Sequence, residues 1–214
     1  MVLKSDTQET SEEVKVIDTE QEKVNHSTWL EKGSFRVVSI STFTALAIVL
    51  GYILVEIPNI ELFTLTIFLS GFILGKRDGM IIGFLSSLIY CLFNPLGASP
   101  LPLLTFQLIH YSLTGLIGAL TRDYIISKKF FNLDGDLYIF PVMIIFGIIG
   151  ALITVSFQIF STLTYVFSFF GTVNEFWSIF LVNIGFTTIH IIGNTLGFIF
   201  ILPGLIQLIK KMLN

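Results

Sequence analysis

Apolar and polar residues are arranged along this chain in long blocks rather than in short alternation. After residue 35, long apolar runs follow one another, separated by short segments that hold most of the charges. Runs of about 15–25 apolar residues are typical of helices that cross a membrane. We predict such helices over residues 36–55, 59–75, 79–93, 102–120, 138–162 and 175–202. The pattern therefore predicts an all-α integral membrane protein with six transmembrane helices.

The positions of the basic residues support this count. With six helices, every Lys and Arg falls in a segment on one side of the membrane, and the other three loops hold none. Because basic segments stay on the cytoplasmic side, both termini are predicted to be cytoplasmic. A count of five or seven would scatter these charges over both sides. The twelve residues are Lys4, Lys15, Lys23, Lys32, Arg36, Lys76, Arg77, Arg122, Lys128, Lys129, Lys210 and Lys211.

Composition divides the chain into two parts. Charged residues make up 13% of it, against about 25% in an average soluble domain. Residues 1–33 are rich in Glu, Thr, Lys and Gln, so we predict a disordered cytoplasmic tail. Residues 34–214 are predicted to form the membrane domain. The single cysteine, Cys91, permits neither an intrachain disulfide nor a cysteine-based metal site.

The three predicted outer loops are nearly free of charge. They cover residues 56–61, 94–102 and about 164–176, and their charged residues are Glu56, Glu61 and Glu175. Any of these carboxylates could hold a cationic group, although a solvated loop acid is the commoner case. The loop within "FNPLGASPLP" is stiffened by proline, so little entropy is lost when it closes over a bound molecule. Alternatively, its prolines only end one helix and start the next.

Polar side chains inside a membrane are costly and mark candidate functional sites. In one interpretation these groups line an amide-rich, aromatic pocket for a small, planar, neutral or zwitterionic ligand. In the other interpretation, they hydrogen-bond to one another and hold the helices together. For His190 and Asn194, the two interpretations are equally plausible. The candidate substrate-binding residues are Asn94, Gln107, Tyr111, Gln158, Glu175, Trp177, Asn183 and His190.

Catalysis is not indicated. The chain has no His-Glu-x-x-His metal motif, no Gly-x-Ser-x-Gly elbow and no Walker-type phosphate loop. We therefore expect a protein that is not an enzyme and that needs no metal or cofactor.

The first predicted helix carries small residues at spacings of four. Ser41 and Ala45 form one such pair, and Ala47 and Gly51 form another. Pairs of this kind allow a second helix to approach closely. We predict that this helix faces a partner protein.

Three segments resemble the substrate-binding S-components of energy-coupling factor (ECF) transporters, over about residues 36–202. They are the small-residue helix "ISTFTALAIVLGYIL", the glycine-spaced "FLSGFILGKRDGMIIGFLSSLIY" and "FNPLGASPLPLLTFQLIHYSLTGLIGAL", with its Asn-Pro loop, Gln and Gly-x-x-Gly. Ser41 stands where the family often has alanine. The resemblance implies an S-component-like bundle in a prokaryotic cell membrane.

The resemblance also implies a function. Such subunits bind a vitamin or related micronutrient from outside, in a pocket that outer loops close over the outer halves of helices 4 to 6. Small residues of helix 1 dock on a membrane T-component, which sits on two ATPase subunits. Asn94 would then lie in a lid over the pocket. Riboflavin, thiamin, cobalamin precursors, folate and nucleobase-like compounds fit the pattern equally.

Two other classes of function remain open at this stage. A membrane scaffold, similar to cell-shape proteins, would use the polar residues only to join helices. A stand-alone small-molecule carrier would bind a substrate without an ATPase partner, and an intramembrane, metal-dependent enzyme in its place would lose activity when His110 or His190 is replaced.

Overall fold

The computed structural model describes residues 33–57, 60–128 and 136–213, which are helical apart from short connections. The predicted tail, residues 1–33, lies outside these residues except for Gly33, which begins the first helix. The helices are α1 (Gly33–Ile53), α2 (Phe63–Leu74), α3 (Lys76–Leu92), α4 (Leu101–Ile126), α5 (Phe140–Phe170), α6 (Phe176–Val182), α7 (Ile184–Leu196), a π-helical segment (Gly197–Ile201) and α8 (Leu202–Leu213).

The chain divides into two compact units. Residues 33–39 are the described part of the smaller unit, and the larger one spans Ile40–Leu213. The core, the cavities and the polar groups discussed below all belong to the larger unit.

Helix α2 lies at the centre of the larger unit. Its residues from Phe63 to Phe72 are all buried, as expected for a helix that is apolar on every side. Phe68 and Phe72 pack edge-on against Phe146 of α5, and Phe68 also contacts Phe198 in the π-helical segment. The predicted apolar run at residues 59–75 therefore forms a core helix of 12 residues.

Glycines bring α2, α3 and α4 into backbone contact. A Cβ atom added at Gly115 of α4 would overlap the carbonyl oxygen of Gly79 in α3, and one added at Gly71 of α2 would overlap that of Gly115. Close approach of this kind is the usual role of small residues between membrane helices. These glycines therefore serve packing within the chain.

Among the described residues, four helical stretches are long and apolar enough to cross a membrane. They are Gly33–Ile53, Leu101–Ile126, Phe140–Phe170 and Ile184–Met212. Helices α2 and α3 have 12 and 17 residues, fewer than the roughly 20 that a full span requires. The fold is thus a helical membrane protein, and the count of six spans stays a prediction.

Two predicted boundaries are wrong. The loop expected at 164–176 is helical as far as Phe170, and the hydroxyl groups of Thr164 and Ser168 donate to carbonyl oxygens of this same helix. The helix ends where Gly171 adopts a left-handed conformation, with φ of 67°. The helix expected at 175–202 is interrupted at Asn183 and continues to Leu213.

Candidate functional site

Six polar side chains from three elements form a hydrogen-bonded group, which we call the polar network. Thr154 and Gln158 lie four residues apart on α5, and His190 and Asn194 lie four apart on α7. This spacing places each pair on one face of its helix. The third element is the start of α2. The members are Glu61, Thr64, Thr154, Gln158, His190 and Asn194.

Hydrogen bonds join α5 to α7 at two points. Gln158 Nε2 lies 2.9 Å from His190 Nδ1. One helical turn further along, Asn194 Nδ2 donates to Thr154 Oγ1 at 3.0 Å. Thr154, His190 and Asn194 are buried, so these bonds satisfy groups that water does not reach.

Glu61 connects this helix pair to α2. Its Oε1 atom lies 3.3 Å from His190 Nε2 and 3.3 Å from Asn194 Nδ2. The Thr64 hydroxyl also donates to Oε1, and the Thr64 backbone N–H lies 3.4 Å from Oε2. The Glu61 side chain is 19% exposed, so it is not the solvated loop acid that is commoner at such positions.

His190 uses both of its ring nitrogens in the network. Nδ1 lies 2.9 Å from Nε2 of Gln158, and Nε2 lies 3.3 Å from Oε1 of Glu61. An imidazole nitrogen that faces a carboxylate is a donor, so Nε2–H points at Glu61. The ring therefore links the amide on α5 to the carboxylate before α2.

Aromatic rings cover one side of the network. The Phe157 ring lies 6.1 Å from the His190 ring and 5.8 Å from that of Tyr111. The His110 ring lies 5.4 Å from that of Tyr111 and 5.1 Å from that of Phe157, so the three rings contact one another. Phe63 packs edge-on against Tyr111 at 4.8 Å. Tyr111, a predicted site residue, thus belongs to this aromatic layer.

A groove of about 480 Å³ lies between α4 and α5. Apolar side chains such as Ile109 and Leu152 line most of it, and His110 and Ser156 contribute polar groups. His110 Nε2 and, on the same helix, Gln107 Oε1 are buried without a hydrogen-bond partner among the described residues. Phe157 contacts both His110 and His190, so a single ring connects the groove to the polar network.

Asn183 lies at a different cavity, of about 450 Å³, with Leu103, Ser161, Thr162, Tyr165 and Ile179. Its side-chain amide donates to the carbonyl oxygen of Ile179 at 2.9 Å. The predicted pocket residues are thus divided between two places: Gln158 and His190 in the polar network, and Asn183 beside this second cavity.

The remaining predicted residues lie outside both places. Trp177 is 67% exposed and contacts Phe176 and Phe180 of its own helix. Glu175 is exposed just before α6. Asn94 is half-buried, and its Oδ1 accepts a hydrogen bond from the backbone N–H of Leu96, which shapes the loop before α4.

The two small-residue pairs of α1 have different environments. Ser41 and Ala45 are exposed. Ala47 and Gly51 are buried within the chain, and a Cβ atom added at Gly51 would lie 2.7 Å from the ring of Tyr90. Only the first pair is therefore free to contact a second protein in this conformation.

The sequence pattern missed Glu61 as the centre of the site. The sequence offered little signal for this role, because an acid at the end of an apolar run is usually solvated. Thr154, which holds Asn194, was also missed, since a threonine in a membrane helix usually bonds to its own backbone.

Apolar helices of spanning length around a largely buried polar network are typical of a helical membrane protein. The family model of the ECF transporter substrate-specific component matches residues 35–212. The chain belongs to this family, whose members are the substrate-binding subunits of transporters and not enzymes. No significant match to a curated protein or to a solved structure was found.

Proposed function

We propose that this protein captures a vitamin-like small molecule from outside a prokaryotic cell and delivers it to an ECF transport complex. In this proposal the chain crosses the membrane six times, with both termini in the cytoplasm. Helices α2 and α3 are each shorter than a full span, so in this proposal each crosses the membrane together with the residues that flank it. The confinement of Lys and Arg to alternate segments supports this orientation.

The observation that carries the proposal is the polar network around Glu61. A buried carboxylate is costly in a membrane protein and is tolerated mainly where it serves a substrate or ion. Three elements supply hydrogen-bonding groups to one place, which is the usual composition of a small-molecule site. Joining helices would need only the amide and hydroxyl groups, without the charge of Glu61.

The surroundings of the network also suit a binding site. The aromatic layer of Phe157, Tyr111 and His110 offers ring faces beside the polar groups. His110 Nε2 and Gln107 Oε1 provide buried hydrogen-bonding atoms that are not used within the described chain. We infer that substrate binds beside Glu61 and this layer.

Delivery of the substrate requires a partner. In the proposed complex, the exposed Ser41 and Ala45 face of α1 docks on a membrane T-component, and two ATPase subunits supply the energy. The small side chains on this face allow close helix approach.

Native mass spectrometry of the full chain in mild detergent tests the proposal. We expect a one-to-one adduct of a few hundred daltons, either as purified or after incubation with a mixture of vitamins. The same sample, mixed with the ATPase and T-component subunits of its cell, should form a complex. A protein that stays without ligand after incubation and joins no such complex would contradict the proposal and favour a scaffold.

A further inference from the structure

We propose that the substrate is a small organic cation, such as a protonated amine or a quaternary heteroaromatic ring, and that the Glu61 carboxylate is its counter-ion. This inference rests on the proposed function and specifies its substrate class. It differs from the neutral or zwitterionic ligand that the amide-rich sequence pattern indicates.

The first argument is the charge environment of Glu61. Among the described residues, its side-chain donors are the Thr64 hydroxyl, the Asn194 amide and Nε2 of His190. None of these donors belongs to a lysine or an arginine. A carboxylate that is largely withdrawn from water is stabilised by an opposite charge nearby, and a cationic substrate would supply it.

The second argument is the uneven use of the two carboxylate oxygens. All three side-chain donors reach Oε1. Among the described residues, Oε2 has one long contact, 3.4 Å from the Thr64 backbone nitrogen. A carboxylate accepts about four hydrogen bonds, so Oε2 retains room for a donor from the substrate. The network thus holds the carboxylate in place through one oxygen and leaves the other for binding.

The third argument is the charge of the segments predicted to lie outside. Residues 37–75, 78–121 and 130–209 contain no Lys or Arg, whereas the outer loops contain Glu56, Glu61 and Glu175. A surface of one sign attracts ligands of the opposite sign and repels those of the same sign. Substrates that carry a carboxylate or phosphate would find no basic side chain there to receive them.

The aromatic layer adds a fourth argument. Phe157 and Tyr111 lie close to the network, with ring centroids 5.8 Å apart. Organic cations are attracted to the faces of such rings. An organic cation bound at the carboxylate would thus lie on the side of the network that carries these rings.

The experiment starts with the ligand that the cell supplies. Full-length protein is purified from cells grown in rich medium, and the ligand is released with denaturant and identified by high-resolution mass spectrometry. We expect a compound with a permanent positive charge or a basic amine. A neutral compound or an acid would overturn the inference while the proposed function stands.

If the protein is purified without ligand, thiamin, riboflavin and folate serve as cationic, neutral and anionic probes in calorimetric titrations. We expect binding of thiamin. Binding of riboflavin or folate instead would overturn the inference of a cationic substrate, whereas the proposed function would stand. Binding of none of the three would count against both this inference and the proposed function.

A matched pair of variants then tests the role of Glu61 with the cation that binds. Glu61→Gln keeps the shape and one acceptor oxygen but removes the charge, so we expect about 10- to 100-fold weaker binding. Asp123→Asn removes an exposed carboxylate that pairs with Lys76, and affinity should not change. An unchanged affinity in Glu61→Gln would overturn the inference. If Glu61→Gln fails to fold, the charge of the ligand that the wild-type protein binds still decides the inference.

Discussion

Nε2 of Gln158 lies 2.9 Å from Nδ1 of His190, in a hydrogen bond between α5 and α7. The other ring nitrogen of His190 lies 3.3 Å from Oε1 of Glu61. One imidazole thus joins two helices to the carboxylate at the centre of the site.

Replacing Gln158 tests this contact. Gln158→Ala leaves Nδ1 of His190 without this partner. Because His190 is only 7% exposed, the free energy of unfolding should fall by about 1–3 kcal/mol. Asn183→Ala is the matched control, since Asn183 is exposed and its amide bonds to its own helix. Reversible unfolding in detergent measures both. Equal small effects would show that the bond between the helices is not formed.

The glycine contact between α3 and α4 predicts a large effect of a single methyl group. Gly115→Ala would place Cβ on the carbonyl oxygen of Gly79, and backbone cannot move aside as a flexible side chain does. We expect a loss of about 2 kcal/mol or more. Gly185→Ala is the control, since no heavy atom lies within 4 Å of its added Cβ, and it should be neutral or stabilising. Melting temperatures in detergent compare the two, and similar values would argue against this close packing.

Docking on the partner is tested at the exposed face of α1. Ala45→Leu adds bulk where a second helix must approach closely, so ligand binding should be retained and co-purification with the ATPase module lost. Val182→Leu enlarges a residue on α6 that is 82% exposed and should co-purify normally. Undiminished recovery of the module with Ala45→Leu would place the interface elsewhere.

The predicted orientation is tested by labelling single cysteines. In a Cys91→Ala background, Leu96→Cys lies in the loop before α4 at a position that is 74% exposed. A membrane-impermeant maleimide should label it in intact cells. Ser127→Cys, just after α4 and also exposed, should react only after permeabilisation. The reverse pattern, or labelling of both in intact cells, would contradict cytoplasmic termini.

Part of the candidate site was predictable and part was not. Gln158 and His190 stood out because amide and imidazole groups are rare in apolar runs, and the structure brings these two together. Asn183 stood out for the same reason but lies beside a separate cavity. The sequence reveals that a residue is polar and which helix face it occupies, but not which neighbouring helix that face meets.

The sequence by itself determined the helical membrane class, because the length and composition of an apolar run decide whether it can span the hydrocarbon. It also indicated the family through local patterns along the chain. Only the tertiary structure decided that Glu61 lies inside. A loop acid is drawn inward only when donors from other helices replace its water, and the donors on His190 and Asn194 follow more than a hundred residues later. Such a site depends on contacts that no short stretch of sequence contains.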